Sequence, residues 1–272
     1  MTGLRIIVCM KVVPRPEEVR VDPVKRTLDR VNARNVINPP DMPALETALR
    51  LKEAHGGEVT VISMGPPFFE HHLRMAMMLG ADRAYLASDR GFAAADTLAT
   101  TYVLAKMVEK IGPWDVILCG EESSDGATGQ VPPGLAEWLG AAQATWAMEV
   151  DLAPGERKLV VKREQRGGWE RVKVTLPAVL TVHADAAEAR FLDYARQDWA
   201  MKEAPFTLWS AADLGADPAC IGLAGSPTTA AALRESPKRE RRREMIKGTP
   251  AEAARILADR LRPYLGDGGG GR

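Results

Sequence analysis

The residues best suited to chemistry form a polar loop, Cys119–Pro133, that directly follows a short apolar run. The loop reads CGEESSDGATGQVPP, so glycines mix with the polar residues Asp125, Thr128 and Gln130 just ahead of a predicted helix. Backbone N–H groups before a helix N-terminus bind anions, because they point at the ligand and the helix dipole favours negative charge. The loop is therefore a candidate phosphate or pyrophosphate site, although it is neither a Walker A loop nor a GxGxxG fingerprint. By composition alone, an ordinary strand–helix connection is the simpler interpretation.

Other reactive residues show no catalytic or metal-binding arrangement in the sequence. His71 and His72 are adjacent in a predicted helix, so their side chains point in different directions, and no Asp, Glu or Cys stands at ligand spacing. The sequence has no GxSxG motif. Its three cysteines are too far apart for a disulfide framework or a zinc site: Cys9, Cys119 and Cys220. We predict neither catalytic residues nor a metal site.

Composition argues against two classes of function. The 36 Lys and Arg residues equal the 36 Asp and Glu residues, so the overall charge gives no support to nucleic-acid binding or membrane adsorption. No apolar stretch approaches the roughly 18–20 residues that span a bilayer, and the opening run up to Pro14 is unlike a signal peptide. We predict a soluble, cytoplasmic protein that is not embedded in a membrane and binds no nucleic acid.

The elements that must position the loop are short apolar strands alternating with amphipathic helices. The predicted strands are Arg5–Val13, Val59–Met64, Arg83–Ala87 and Trp114–Cys119. The predicted helices are one capped by Asp41 and stopped by Gly56-Gly57, then Phe69–Leu79, Asp96–Ile111 and one that opens at Leu135–Leu139. This alternation predicts a mostly parallel, doubly wound α/β sheet, which binds ligands at the carboxyl ends of its strands.

The pattern changes after Ala144. Three segments with Gly-containing turns between them predict an antiparallel β-ribbon within residues 146–176: Trp146–Leu152, Lys158–Glu164 and Trp169–Leu176. Pro177–His183 then returns to a buried strand. We therefore divide the chain into an α/β domain (1–184), an extended arm with weak periodicity (185–237) and a C-terminal part (238–272).

The C-terminal part holds one predicted helix. Thr249 and Glu252 form a capping box with Pro250 at the first helical position, and the helix should run to about Leu265. A tail at Gly268–Gly271 should be disordered. Two placements stay open for the apolar face of the helix, its own sheet and another subunit, because a lone helix of this length is marginal in water.

A series of motifs extends the interpretation. In chain order they are VCMKVVP (Val8–Pro14), INPPDMPALE (Ile37–Glu46), SMGPP (Ser63–Pro67), MLGADRA (Met78–Ala84), ADTLAT (Ala95–Thr100), ILCG (Ile117–Gly120) leading to Gln130, and LPAVLTV (Leu176–Val182). Through these motifs, Arg5–Ala184 resembles an electron-transfer flavoprotein β subunit nearly throughout. The resemblance implies an adenine-nucleotide α-hydrolase-like sheet and a heterodimer with an α subunit that holds a redox-active FAD.

The resemblance also implies a nucleotide in this chain. In the single-flavin branch of the family it is AMP, and in the electron-bifurcating branch it is a second FAD that exchanges a hydride with NADH. The residues expected to line the adenosine are Cys9, Asn38, Ser63, Met64 and Gly65. Those expected at the phosphate are Asp125, Gly126, Thr128, Gly129, Gln130 and Val131. We favour FAD slightly, because the Gly-Ala-Thr-Gly-Gln-Val segment is closer to the bifurcating branch.

Two stretches depart from the family pattern. Glu121 and Glu122 replace a basic or amide residue and its neighbour in the loop, and two carboxylates disfavour a nearby phosphate unless they point away. The partner-recognition arm retains Arg190 and Phe191, but Tyr194 stands near the position of the usual anchoring leucine and the following lysines are nearly gone. Arg190, Phe191, Tyr194 and Trp199 are therefore the predicted partner contacts, since aromatic residues dominate interface hot spots.

The resemblance implies an electron carrier, not an enzyme in itself. It would shuttle electrons between acyl-CoA dehydrogenase-type partners, as in fatty acid oxidation, and a quinone oxidoreductase or another acceptor. Two alternatives stay open. One is an adenine-nucleotide-binding or hydrolysing α/β protein without a redox role, which would need a metal or a basic phosphate site. The other is a scaffold subunit with a vestigial nucleotide.

Overall fold

The computed structural model describes residues 3–15, 34–229 and 243–264 of the chain. These residues fall into two compact units, divided after position 233. The first unit holds the sheet and four helices, and the second holds one helix. The three-part division at residues 184 and 237 stays a prediction.

The described part of the first unit forms eleven strands. They are β1 (Leu4–Cys9), β2 (Val12–Pro14), β3 (Asn35–Ile37), β4 (Gly57–Met64), β5 (Arg83–Ala87), β6 (Val116–Gly120), β7 (Ala142–Leu152), β8 (Lys158–Gln165), β9 (Gly168–Thr175), β10 (Ala178–Val182) and β11 (Phe206–Trp209). Nine of them make one sheet in the order β11-β5-β4-β1-β6-β10-β7-β8-β9, and β2 pairs with β3 apart from it.

The sheet confirms the predicted mostly parallel arrangement. Every neighbouring pair from β11 to β7 is parallel, whereas β8 pairs antiparallel with β7, and β9 antiparallel with β8, as the predicted ribbon. The single strand predicted over Arg5–Val13 is wrong in one respect. The chain leaves the sheet at Met10 and Lys11, and β2 turns away to pair Val12 with Ile37. A continuous β-branched run conceals this break because both halves are buried.

Four helices cover the two faces of the sheet: α1 (Asp41–His55), α2 (Glu70–Leu79), α3 (Thr97–Ile111) and α4 (Val131–Trp138). Side chains alternate across each strand, so Val8, Val61 and Leu118 join the core under α1 and α2. Their neighbours Ile7, Ile62 and Ile117 join the other core, under α3 and α4. The chain is therefore wound on both sides of the sheet, as predicted.

The observed helix N-termini agree only in part with those predicted from local sequence rules. Asp96 caps α3, since its carboxylate accepts hydrogen bonds from the N–H groups of Leu98 and Ala99. The predicted cap at Asp41 is wrong: Asp41 is the first helical residue, and its carboxylate accepts from distant groups described below. The start predicted for α4 at Leu135 is also wrong, because the helix begins at Val131. Prolines 132 and 133 lie in its first turn, where a missing N–H is tolerated.

The arm expected to be merely extended contains regular structure. Strand β11 pairs in parallel with β5 at the sheet edge, and a π-helical turn spans Trp199–Glu203. The rings of Tyr85 and Trp209 stack at 4.4 Å between these two strands. Sequence periodicity missed β11 because its two central residues are exposed, so the strand shows no alternation. Part of the predicted arm, residues 230–237, lies outside the described residues.

The second unit contains α5 (Pro250–Leu261), which confirms the predicted capping box and its proline. The helix passes into a short 3-10 turn at Arg262–Tyr264, and the predicted end at Leu265 and the glycine tail lie outside the described residues. In the ranges that the structure describes, no helix combines the length and the apolar character needed to cross a bilayer.

Candidate nucleotide site

The predicted adenosine and phosphate residues meet at the carboxyl edge of the parallel sheet. Cys9 ends β1, Ser63 and Met64 end β4, and the loop Glu121–Gln130 follows β6. Strand β1 lies between β4 and β6, and the chain crosses from β5 over to β6 through α3. The gap between β1 and β6 is thus the point at which the winding direction reverses, where open α/β sheets bind ligands.

The centre of the site is a run of free backbone N–H groups in front of α4. Among the described residues, the N–H groups of Thr128, Gly129 and Gln130 donate to no backbone or side-chain acceptor. Ala127 and Gly129 have φ values of 48° and 61°, which turns successive N–H groups toward one side. Such a nest at a helix N-terminus is an anion cradle. The donor set therefore fits a phosphate.

Side chains of the cradle serve mainly to fix it. The Gln130 Oε1 accepts a hydrogen bond of 2.8 Å from the hydroxyl of Thr97, the first residue of α3. This bond ties the end of the loop to a second helix N-terminus. Thr128 and Gly126 are exposed, and Val131 is half-buried at the start of α4. Gln130 and Val131 therefore contribute to the cradle through the backbone.

Residues at the end of β4 also fit a ligand. The Ser63 hydroxyl is buried and has no hydrogen-bond partner among the described residues. A buried hydroxyl without a partner is destabilising, so its presence points to a group that the chain itself does not supply. Met64 packs at the edge of the core on the α3 side of the sheet. The Phe69 ring lies so close to Gly65 that a Cβ at this position would overlap it. Cys9 is buried and lies in register with Cys119 on β6.

The side chain of Asn38 makes hydrogen bonds within the protein. Its side-chain amide donates to Asp41 Oδ1 at 3.0 Å and to the Glu122 carbonyl at 2.9 Å, and its Oδ1 accepts from the Ser124 N–H at 3.0 Å. These bonds are internal to the protein, and the residue is 1% exposed. Asn38 therefore holds the loop with its side chain.

Two residues that sequence reasoning missed complete the site. The Lys11 Nζ lies 2.6 Å from Asp125 Oδ1 and 3.1 Å from the Ser123 hydroxyl. The buried carboxylate of Asp41 accepts from the Lys11 N–H at 2.7 Å. A single lysine directly after a buried strand was the available signal for Lys11. Asp41 was taken for a helix cap, which explains its position without a distant partner.

The two glutamates that depart from the family pattern, Glu121 and Glu122, have different surroundings in the structure. Burial raises the pKa of Glu121, with Glu122 and Asp185 adding to the shift and His183 opposing it. The nearby Ala184 N–H also opposes the shift, so the carboxylate lies beside the end of β10, and its Oε2 is buried without a hydrogen-bond partner among the described residues. The Glu122 side chain is exposed, and its carbonyl accepts from Asn38. The Glu121 side chain thus lies beside the end of β10, whereas its backbone carbonyl lies near Gly129 of the cradle.

The predicted partner residues divide into two pairs. Arg190 binds Glu46 and Glu53 of α1 at 2.8 Å and 2.6 Å, and Trp199 is half-buried with the Arg196 guanidinium 4.6 Å from its ring. These two residues hold the arm on the body of the unit. Phe191 and Tyr194 are 96% and 72% exposed. They are the members of the set that remain available to another surface.

Comparison with known proteins shows the family of the chain. The family model of the electron transfer flavoprotein domain matches residues 26–214. The β subunit of the electron transfer flavoprotein of Thermoanaerobacterium thermosaccharolyticum is 41% identical, with 95% of this chain and 98% of that protein covered. Protein FixA of Azorhizobium caulinodans is 40% identical with 97% of each chain covered. The caffeyl-CoA reductase-Etf complex subunit CarD of Acetobacterium woodii is 37% identical over 95% of this chain and 98% of its own. The chain belongs to the electron transfer flavoprotein β-subunit family.

Proposed function

We propose that this chain is the β subunit of a heterodimeric electron-transfer flavoprotein and carries electrons together with an α subunit that holds a redox-active FAD. The acceptor side would be a quinone oxidoreductase or another acceptor, and the donor side an acyl-CoA dehydrogenase-type enzyme. The observation that carries the proposal is the cradle of three free N–H groups at the carboxyl edge of a family-typical sheet. It supports a nucleotide site at this edge of the sheet.

The proposed nucleotide is FAD or AMP, bound with its phosphate on the cradle. The stretch Thr128–Val131 would hold phosphate through backbone N–H groups, with Gly126, whose own N–H donates to the Ser123 carbonyl, beside it. Cys9, Ser63, Met64 and Gly65 would line the adenosine. The chain itself would bind and orient the nucleotide and shield it from water. When bound, FAD supplies two-electron exchange with NADH, whereas AMP supplies no redox chemistry and is structural. We favour FAD from the loop sequence.

The proposed partner surface is the exposed pair Phe191 and Tyr194. Arg190 fixes this stretch of the arm through Glu46 and Glu53, so the two aromatic rings are presented from a held backbone. The relative in Acetobacterium woodii is named as a subunit of a complex with a caffeyl-CoA reductase. That name supports a partner that acts on acyl-CoA substrates.

The first experiment is co-expression with the α subunit, followed by extraction and chromatography of the bound nucleotides. Two FAD per heterodimer would support a flavin in this chain and a bifurcating role. One FAD with one AMP would support the simple carrier. A complex without flavin would overturn the proposal in both forms.

The cradle itself is tested with Gly129→Trp and a matched control, Gly140→Trp. Both glycines have positive φ, 61° and 58°, so both substitutions strain the backbone similarly. Gly129 belongs to the cradle, whereas Gly140 follows α4 and has open space around it. We expect Gly129→Trp to lose the nucleotide of this subunit and to retain the α flavin, while Gly140→Trp retains both. Equal nucleotide content in the two variants would place the phosphate elsewhere.

The arm is tested with Tyr194→Ala and Trp199→Ala. Tyr194→Ala should slow reduction by the dehydrogenase partner without flavin loss, because an exposed aromatic contact is removed. Trp199→Ala should also weaken coupling, through loosening of the arm. Stopped-flow flavin reduction with the physiological dehydrogenase measures both, with the exposed Trp169→Ala on β9 as control. Unchanged reduction by Tyr194→Ala would remove this residue from the interface.

A further inference from the structure

The starting point is a buried carboxylate where three segments meet. Asp41 is 5% exposed, and its Oδ2 accepts from the Lys11 N–H at 2.7 Å, directly after β1. Its Oδ1 accepts from the Asn38 amide at 3.0 Å and lies against Gly120 at the end of β6, where an added Cβ would overlap it. Asp41 thus joins the ends of β1 and β6 to the start of α1.

Asn38 extends this junction into the loop. Its amide group donates to the carbonyl of Glu122, and its carbonyl accepts from the N–H of Ser124. The side chain therefore binds both backbone groups that flank residue 123, as a neighbouring strand would. The Asn38 N–H also donates to the Lys11 carbonyl at 2.8 Å, so Asn38 itself is fixed to the end of β1.

Lys11 forms a second tether on the same stretch. Its Nζ binds Asp125, whose side chain is 3% exposed, and the Ser123 hydroxyl. Loss of one member of a buried ion pair is destabilising, so this contact is a strong tether for the loop. Residues 122–125 are thus held at four points by two side chains that come from a distant part of the sequence.

The tethered stretch directly precedes the cradle, which makes few bonds of its own. Between Gly126 and Gln130, the backbone N–H groups of Gly126 and Ala127 donate to the Ser123 carbonyl, and those that follow are free among the described residues. The direction of the free N–H groups therefore depends on where residues 122–125 are held. A cradle fixed before the ligand arrives binds more tightly, because less conformational entropy is lost on binding.

We propose that Asp41, Asn38 and Lys11 are positioning residues that pre-organise the loop 121–131 for the phosphate of a nucleotide. This inference rests on the proposed function, because it assigns the role of the network toward the ligand of that site. It also assigns Asn38 and Asp125, expected as ligand contacts, to the support of the loop. Lys11 pairs with Asp125 in this arrangement, and its positive charge reduces the repulsion between that carboxylate and the phosphate.

The test uses the α/β heterodimer stripped of exchangeable nucleotide and titrated with AMP and with FAD. Asn38→Ala removes the bonds to the loop backbone, and Lys11→Met removes the cation but keeps the apolar stem. We expect each to weaken binding of the nucleotide by about tenfold or more, the equivalent of one lost charged or paired hydrogen bond. Lys11→Arg can still pair with Asp125 and should recover most of the affinity, which a purely steric effect at this position would not allow.

The matched control is Lys52→Met. Lys52 forms an equally short ion pair with Asp82 and a bond to the Gly80 carbonyl, but it lies near the end of α1 and does not touch the loop. Its removal should lower the thermal midpoint without changing nucleotide affinity. Hydrogen exchange gives a second measurement: in the nucleotide-free Asn38→Ala and Lys11→Met complexes, amides of residues 121–131 should exchange faster while those of β1 and β6 keep wild-type protection.

The outcomes separate this inference from the proposed function. A wild-type complex that binds neither AMP nor FAD overturns the proposed function. A wild-type complex that binds either nucleotide, with unchanged affinity and loop exchange in Asn38→Ala and Lys11→Met, overturns only the positioning role. An equal loss of affinity in Lys52→Met would also overturn it, because the effect would then follow general stability.

Discussion

Two buried aspartates stand at opposite ends of the same sheet and are satisfied in different ways. Asp115, at the amino end before β6, accepts from the Arg5 N–H at 2.9 Å and pairs with the Arg157 guanidinium at 2.6 Å. Asp41, at the carboxyl end, accepts from backbone and amide N–H groups, and no described Lys, Arg or His forms an ion pair with it. The aspartate at the amino end is thus paired with a cation, whereas the aspartate at the carboxyl end is hydrogen-bonded to neutral N–H donors.

The difference appears in the acidity of the two groups. Desolvation opposes the ionisation of Asp115, but the Arg5 N–H and the Arg157 guanidinium outweigh it and lower the pKa. For Asp41, burial outweighs the N–H donors of Lys11, Asn38 and Gly120 and raises the pKa to about 7. A carboxyl group that is partly protonated at neutral pH repels a phosphate less than an ionised one. The raised pKa of Asp41 therefore favours an anion at the carboxyl end, in agreement with the proposed phosphate site. At the amino end, the negative charge of Asp115 is balanced by the guanidinium groups beside it.

The largest effect is expected from breaking the amino end. Asp115→Ala leaves the Arg5 N–H without its acceptor and removes the buried anchor of two guanidinium groups, so unfolding free energy should fall by about 3 kcal/mol. Urea titration measures the loss. Nucleotide content of the folded complex should be unchanged, because no contact of Asp115 reaches the cradle.

Asp151→Ala is the control for this prediction. Asp151 also lies at hydrogen-bond distance, 2.8 Å, from a basic residue, His55, but its side chain is 75% exposed. An exposed pair of this kind contributes less than about 1 kcal/mol. Equal losses in Asp115→Ala and Asp151→Ala would show that burial does not set the contribution of the amino-end pair.

The comparison is sharpened by pH. The folded pKa of Asp41, about 7, lies above its ordinary value of 3.8, so stability from this group is full below pH 4 and is lost as pH rises through 7. Asp41→Asn lacks this loss. Between pH 5 and pH 8, the unfolding free energy of the variant relative to wild type should therefore rise by roughly 2–3 kcal/mol. Urea titrations of both proteins at the two pH values measure the change.

Asp115→Asn should show the opposite sign. The folded pKa of Asp115 lies below its ordinary value, so its contribution is present above that value and is lost as pH falls through the folded pKa. The deficit of Asp115→Asn should be widest at neutral pH and shrink in acid. The same pH trend in both variants would contradict the difference between the two ends.

Local sequence rules predicted most of the fold and the position of the loop that follows β6. Alternation of apolar runs gave the parallel sheet, and glycine and proline placed the loop between β6 and α4. The network beneath the loop could not be predicted from the sequence, because the hydrogen bonds that tether the loop to Lys11 and Asn38 join residues 84 to 114 positions apart. An isolated Lys11 or Asp41 has a sufficient local explanation, as a strand-end lysine or a helix cap. Strand β11 escaped for a similar reason, since an edge strand with exposed residues lacks the period that marks a strand.

The smallest effect concerns Ser63, whose buried hydroxyl has no partner among the described residues at the carboxyl end. In nucleotide-free protein, Ser63→Ala should raise the unfolding free energy by less than about 1 kcal/mol, because an unsatisfied polar group is removed. Thr181→Val is the contrast: its buried hydroxyl accepts from the Trp146 N–H at 2.8 Å, so its loss should destabilise by about 1–2 kcal/mol. With nucleotide added, Ser63→Ala should lose its advantage, as a hydroxyl that binds the ligand would then be missing. A Ser63→Ala protein that stays ahead of wild type in saturating nucleotide would mean that this hydroxyl does not face the ligand, and that the cradle alone distinguishes the carboxyl end from the amino end.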